Sequence, residues 1–274
     1  MRQVYLVPNI ITAFGLSCGL YVIFKANLIG EDMGIYGVLL SSSLLLILAS
    51  FADFLDGAVA RVLHAESEFG LMFDSLSDAI TFGVAPSVLL VKSLSPELGT
   101  PLSFFVVLGA MLFSLCGVLR LVRYNVKAAE KKEKPKEEKP SFTGLPIPSA
   151  ALAALSINLF LNSPKGELWF PMSMMTKSIV LTLCTLFVGC LMVSKIKFPS
   201  LKALHIRVPS VHLLFATVIF AIFLLYGILY QFTLVFTILT WGYIFTALAL
   251  LVTHYIVGKR TNALKAFDPD DEEE

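Results

Sequence analysis

The chain has 274 residues, 57% of them hydrophobic and 15% charged, with a formal net charge of +1, whereas soluble domains carry roughly 45–50% apolar and about 25% charged residues. This composition excludes an ordinary soluble domain and places the chain among membrane proteins. A near-neutral charge without a compact basic region gives no reason to expect a nucleic acid partner.

The apolar residues fall into eight blocks, about 10–28, 34–62, 67–92, 102–125, 146–162, 178–194, 209–230 and 233–257. Each approaches or exceeds the roughly 20 residues that a helix needs to cross the hydrocarbon core. The expected fold is an all-α integral membrane bundle of about eight transmembrane helices; because the fifth and sixth blocks are short, a six-helix core stays open. No cleavable leader is expected, since the first block lacks a basic flank and a small-residue cleavage site. With a cytoplasmic N-terminus, only Lys25, Lys92, Lys165 and Lys177 of the 21 Lys and Arg residues fall outside. That asymmetry predicts a multi-pass protein of the cell (inner) membrane with both termini cytoplasmic.

In the first block, Pro8 stands near a helix start, and Asn9 and Thr12 follow with an amide and a hydroxyl one turn apart. The second and third blocks carry Asp53, Asp56, Asp74 and Asp78. One ionised Asp at mid-bilayer costs roughly 2.5–3.5 kcal/mol on insertion scales, so four together need a compensating partner. Spacings of three and four place each pair on one helix face, and consecutive antiparallel helices bring the faces together. Asp56 lies about six residues from the inner helix end, roughly 9 Å at 1.5 Å per residue, within reach of headgroup phosphates. Protonation or divalent cations would relieve the repulsion, and hard oxygen ligands suit Mg²⁺ or Mn²⁺. Two such cations would form the clamp that phosphoryl transfer uses on attacking and leaving oxygens. Gly57, Ala60 and Gly70 leave room against the backbone, and Arg61 offers a fork for phosphate oxygens. Taken singly, the small residues would read as close helix packing.

Cys18, Cys116, Cys184 and Cys190 lie within apolar blocks without ligand spacing and read as fillers. His64, in the loop between the acid pairs, reads as a solvated residue. Residues 127–140 form a charged cytoplasmic linker, and 262–274 an acidic tail expected to be disordered. The run Gly144-Leu145-Pro146-Ile147-Pro148 reads as a stiff, irregular segment leading into the fifth helix, tolerable where it lines a cavity or interface.

The run Asp53-Phe54-Leu55-Asp56-Gly57-Ala58-Val59-Ala60-Arg61, followed by Gly70, Asp74 and Asp78 at fixed spacing, resembles the complete signature of the CDP-alcohol phosphotransferase family. The resemblance implies a six-span core, here 10–194 with two further spans over 209–257, a CDP-linked lipid donor and CMP as leaving group. It implies metal ligation by Asp53, Asp56 and Asp74, with Asp78 on the metal site as the base, and a homodimer. Pro8, Asn9 and Thr12 could then rim a cytosine ring, although capping and packing would explain them equally.

Arg120 and Arg123 lie on one face at the cytoplasmic end of the fourth block, where they would suit an acceptor carrying a carboxylate or would anchor the helix end. The segments PNIITAFGLSCGLYVIF, LRLVRYNV, SFTGLPIPSAA and KIKFPSLK resemble the bacterial branch of that family that joins CDP-diacylglycerol to L-serine. Glycerol 3-phosphate and inositol are alternative acceptors. A cation transporter would also bury acids, but near the midplane and on broken helices, whereas these lie near one face on helices read as free of internal proline.

Overall fold

Lipid offers no water to backbone N–H and C=O groups, so apolar runs of this length close their hydrogen bonds internally as helices. The computed structural model describes residues 6–28, 34–65, 67–95, 99–133, 144–194, 196 and 211–257, and among them every regular element is helical. In chain order these are α1 (Leu6–Asn27), α2 (Ile35–Val62), α3 (Glu68–Asp78), a π-helical segment (Ala79–Val84), α4 (Ala85–Leu94), α5 (Pro101–Glu133), α6 (Ile147–Leu161), α7 (Pro164–Trp169), α8 (Met174–Val193) and α9 (Val211–Val257). Six stretches among the described residues are long and apolar enough to cross a membrane: Leu6–Asn27, Ile35–Val62, Glu68–Leu94, Pro101–Val126, Met174–Val193 and Leu225–Leu251. The chain is a polytopic helical membrane protein.

Three details differ from the plain block pattern. The fifth block gives α6, whose 15 residues span roughly 22 Å at 1.5 Å each, short of the ~30 Å hydrocarbon core. Most of α6 is buried, so it is enclosed by other helices. The charged stretch after the fourth block begins as helix, because α5 continues through Glu133; Lys, Ala and Glu are good helix formers, and Pro135 is the first breaker beyond them. Residues 134–140, most of 195–202 and the acidic tail 262–274 lie outside the described residues.

The third block is not the proline-free helix expected. Pro86 stands at the start of α4, and the π-helical segment precedes it. Proline has no N–H and its ring needs space, which the wider turn supplies. Ala85 N donates to Ile80 O, five residues back. Ser87 Oγ and Ser114 Oγ both donate to Gly83 O at 3.0 Å, tying the widened turn to α5.

Helix α9 bends at Gln231, whose φ of −136° and ψ of 37° are not helical. A Cβ on Gly227 would stand 2.8 Å from Val235 Cγ2, although eight residues of straight helix span roughly 12 Å. The chain therefore folds back sharply between limbs 211–230 and 232–257.

Small residues let the helices approach closely. Gly15 of α1 would place a Cβ 3.8 Å from Ala49 O of α2, and one on Gly117 of α5 would meet Ile147 Cδ1 at 2.9 Å. In the α5–α8 seam a Cβ on Gly109 would fall onto Thr182 Cγ2. Phe82, Phe113, Ile147 and Met192 fill the resulting core. Phe104, Leu108, Met111, Leu115, Leu119 and Val122 of α5 stay exposed at helical spacing, as a lipid-facing stripe would.

Gly109→Val is expected to lower the thermal midpoint in detergent, because overpacking costs about 1–3 kcal/mol. Gly37→Ala, which meets nothing within 4 Å, should leave the midpoint unchanged or raise it.

Candidate active site

The site is built where α2 ends and α3 begins. The chain reverses between α2 and α3, with His64 at a φ of 49° and Ala65 N donating to Ala60 O at 2.9 Å. Ser67 caps α3 by accepting from Gly70 N at 3.0 Å. A Cβ on Gly70 would lie 3.1 Å from Ser67 Oγ and 3.2 Å from Asn9 Oδ1. Glycine here lets the cap and α1 close onto the turn, a tighter reason than the open space expected.

That reversal brings Asp53, Asp56 and Asp74 together, with one ligand oxygen from each within 4.8 Å of the others. Helix α1 braces the cluster: Thr12 Oγ1 donates to Asp56 Oδ2 at 2.6 Å and also lies 3.1 Å from Pro8 O. Ser77 Oγ donates to Thr12 O at 3.4 Å, tying α3 to the same turn of α1. Among the described residues no ion pair forms to any of the four acids. Three converging carboxylate oxygens are a donor set that can hold a hard divalent cation.

Above the acids opens a cavity of about 640 Å³. Pro8, Asn9, Thr12, Asp56, Gly57, Ala60, Arg61 and Gly70 all line it, together with Asp53 and Asp74. A Cβ on Gly57 would meet nothing within 4 Å, so this bare backbone faces free space that a ligand can fill. Arg61 Nε donates to Gly57 O at 2.9 Å, which holds the exposed guanidinium at the cavity wall.

Asp78 lies one turn beyond Asp74 and does not line the cavity. It borders a separate void of about 10 Å³ with Asp53, Asp56 and Asp74.

The two arginines part company. Arg120 interacts electrostatically with Asp78 and Asp53, and its Nε is buried without a hydrogen-bond partner. Arg123 donates from Nη1 to Val193 O at 2.9 Å and from Nη2 to Ser194 O at 3.4 Å, capping the C-terminus of α8. Gly144, at a φ of 92°, sits beside that guanidinium, and its N–H donates to Ile196 O at 2.7 Å. The irregular run into α6 therefore packs under the end of α8.

Sequence reasoning missed Tyr124, which lines the cavity, and Asn125, whose Nδ2 donates to Ser75 Oγ at 2.9 Å and joins α5 to α3. Ser67 could have been found, because a Ser followed by an acidic residue is an N-cap signal.

Residues 5–188 match the family described as CDP-alcohol phosphatidyltransferase. A Bacillus subtilis (strain 168) protein is 34% identical over 196 residues, covering 72% of this chain and 91% of its own length. A Methanocaldococcus jannaschii protein is 32% identical over 166 residues, 61% of this chain and 67% of its own. One from Helicobacter pylori (strain 26695) is 31% identical over 242 residues, 84% and 92% respectively. All three are named CDP-diacylglycerol–serine O-phosphatidyltransferase.

If the three acids bind a cation, Mn²⁺ should raise the thermal midpoint of the purified protein and a chelator should reverse the rise. Thr12→Val should weaken Mn²⁺ binding by roughly 10–100-fold, because a ligand's outer partner orients it. An unchanged affinity would place Thr12 outside the cation site.

Proposed function

Since the chain belongs to the CDP-alcohol phosphatidyltransferase family, we propose that it transfers the phosphatidyl group of CDP-diacylglycerol to the hydroxyl of L-serine and releases CMP. The observation that carries this reading is the convergence of Asp53, Asp56 and Asp74 at the base of a cavity walled by Gly57, Ala60 and Arg61. The names of the relatives supply the acceptor.

Asp53, Asp56 and Asp74, with Asp78 beside them, would hold two divalent cations, Mg²⁺ or Mn²⁺. When bound, these would offset negative charge on the attacking and leaving oxygens. The remaining steps belong to the chain. Gly57 and Ala60 admit the nucleotide against the α2 backbone, and Arg61 grips a phosphate oxygen. Pro8, Asn9 and Thr12 frame the cytosine side. Asp78 accepts the proton of the serine hydroxyl as its oxygen attacks the β-phosphorus; the bond to the bridging oxygen breaks, and CMP leaves with that electron pair. Arg120 meets the serine carboxylate from the side of Asp78.

The Lys and Arg asymmetry supports a cytoplasmic site in the cell membrane, with both termini on that side. The division into a core over 10–194 and two added spans over 209–257, and a homodimeric state, follow from the family resemblance.

Purified protein given CDP-diacylglycerol, Mg²⁺ or Mn²⁺ and a panel of alcohols should release CMP fastest with serine. A preference for glycerol 3-phosphate or inositol would overturn the acceptor and leave the chemistry standing. Asp56→Asn is expected to lose both donor binding and transfer. Asp78→Asn should keep donor binding and slow transfer by roughly 10²–10⁴-fold, the usual contribution of a proton-accepting group. Loss of donor binding in Asp78→Asn would make Asp78 chiefly a metal ligand. Arg120→Ala should raise the KM for serine more than that for the lipid, whereas Arg123→Ala should lower the thermal midpoint instead.

A further inference from the structure

We propose that Thr81 is a positioning residue for the fourth acid: its hydroxyl, together with one water enclosed beside it, holds the Asp78 carboxylate at the floor of the acid cluster. This deepens the function proposed above and rests on Asp78 as proton acceptor there.

A threonine inside a helix ordinarily donates to the carbonyl four residues back. Thr12, Thr185, Thr237, Thr240 and Thr246 all place Oγ1 within hydrogen-bond distance of that carbonyl. Thr81 does not. It lies in the π-helical segment, is 1% exposed, and its Oγ1 has no hydrogen-bond partner. A buried hydroxyl without a partner is unfavourable, so something polar is to be expected within its reach.

The void of about 10 Å³ supplies the place. Its walls include Thr81, Asp78, Asp53 and Ser77, and its volume is close to the ~10–15 Å³ that one water needs. A water there would have several polar partners, which is the condition for a buried water to stay. Thr182, also buried and without a partner among the described residues, lies opposite Gly109 in the α5–α8 seam and does not line that void.

The hydroxyl is confined by α1. A Cβ on Gly19 would fall onto Thr81 Oγ1 and lie 2.8 Å from Thr81 Cα and Cβ, so only the bare backbone of α1 leaves the hydroxyl room here. Within the π turn that accommodates Pro86, this hydroxyl makes no bond to its own helix, and its residue lines the void that the four acids share.

An acceptor of the serine proton works best with one oxygen aimed at the incoming hydroxyl. A donor on its inner side fixes the carboxylate in that orientation. The hydroxyl need not touch either substrate.

The test compares Thr81→Val, Thr81→Ser, Asp78→Asn and the Thr81→Val/Asp78→Asn pair, with CMP release and donor-induced thermal shift measured on each. Thr81→Val keeps the shape and is expected to lower kcat roughly tenfold, the loss of about one hydrogen bond at the transition state. Its KM for CDP-diacylglycerol and its donor-induced shift should stay within about twofold of the parent, which shows that it folds and binds. Thr81→Ser should recover most of the rate. In the Asp78→Asn background, Thr81→Val should change the residual rate by less than about twofold, because the two act as one unit. Full activity in Thr81→Val, an equal loss in Thr81→Ser, or an undiminished tenfold loss in the pair would each overturn the proposal. Should the parent prefer another alcohol, the acceptor reading alone fails, and the same comparison run with that alcohol still decides the role of Thr81.

Discussion

Four carboxylates drawn together among apolar helices repel one another and lose water at the same time, and the rest of the bundle is arranged around that stress. Each charge would be costly alone at bilayer depth, and although Arg120 acts electrostatically on Asp53 and Asp78, no salt bridge to the acids forms among the described residues. What the chain supplies is geometry. The reversal between α2 and α3 sets two helix ends side by side, and Thr12 fixes one oxygen of Asp56 from a third helix. A donor set held this way is ready for a cation without rearranging, which is the purpose of outer partners around ligands.

The small residues follow from the same constraint. Helix α1 can brace the acids only if it lies close to α2 and α3, and Gly15, Gly19 and Gly70 are the points of approach. Gly57 differs, because nothing fills the space above it. In one motif, then, glycine serves two ends: at Gly70 it lets protein close on protein, and at Gly57 it keeps the wall open. The two cannot be told apart from sequence, where both read simply as an absent side chain.

Much of the site was legible for a physical reason. Acids at spacings of three and four in apolar runs call for a compensating partner, and helix periodicity shows which faces can meet. Pro8, Asn9 and Thr12 read from sequence equally as a ligand rim or as capping and packing, and they line the cavity because α1 packs along α2. What stayed hidden depends on tertiary contact. Arg120 and Arg123 share a helix face, but α8 ends beside only one of them, and no spacing rule reveals where a distant helix stops. The π-helical segment was hidden differently: Pro86 was in plain view, but whether a helix kinks, stops or widens before a proline is settled by its neighbours, here Ser114 reaching Gly83 O from α5.

The last helix shows how a remote element can bear on the acids through packing. Its second limb docks by a polar ladder: Tyr36 meets Thr233 at 3.1 Å, Thr237 donates to Ser156 O at 3.1 Å, Thr240 meets Ser156 Oγ at 2.8 Å, and Trp241 donates to Ala153 O at 3.1 Å. In an apolar medium such a ladder favours one rotational register, since a slip would strip Tyr36 and Trp241 of their partners across the interface, whereas Thr237 and Thr240 would keep carbonyls of their own helix. Helix α6 is too short to span and is largely buried, so its position is set by what surrounds it. With α9 holding one side, Ile147 of α6 is pressed against Gly117 of α5, one turn before Arg120. Arg120 in turn interacts with Asp78 and, from α9, with Tyr243. The path from the last helix to the fourth acid therefore runs through contacts that are individually ordinary, and its rigidity comes from hydroxyls that have no water to turn to.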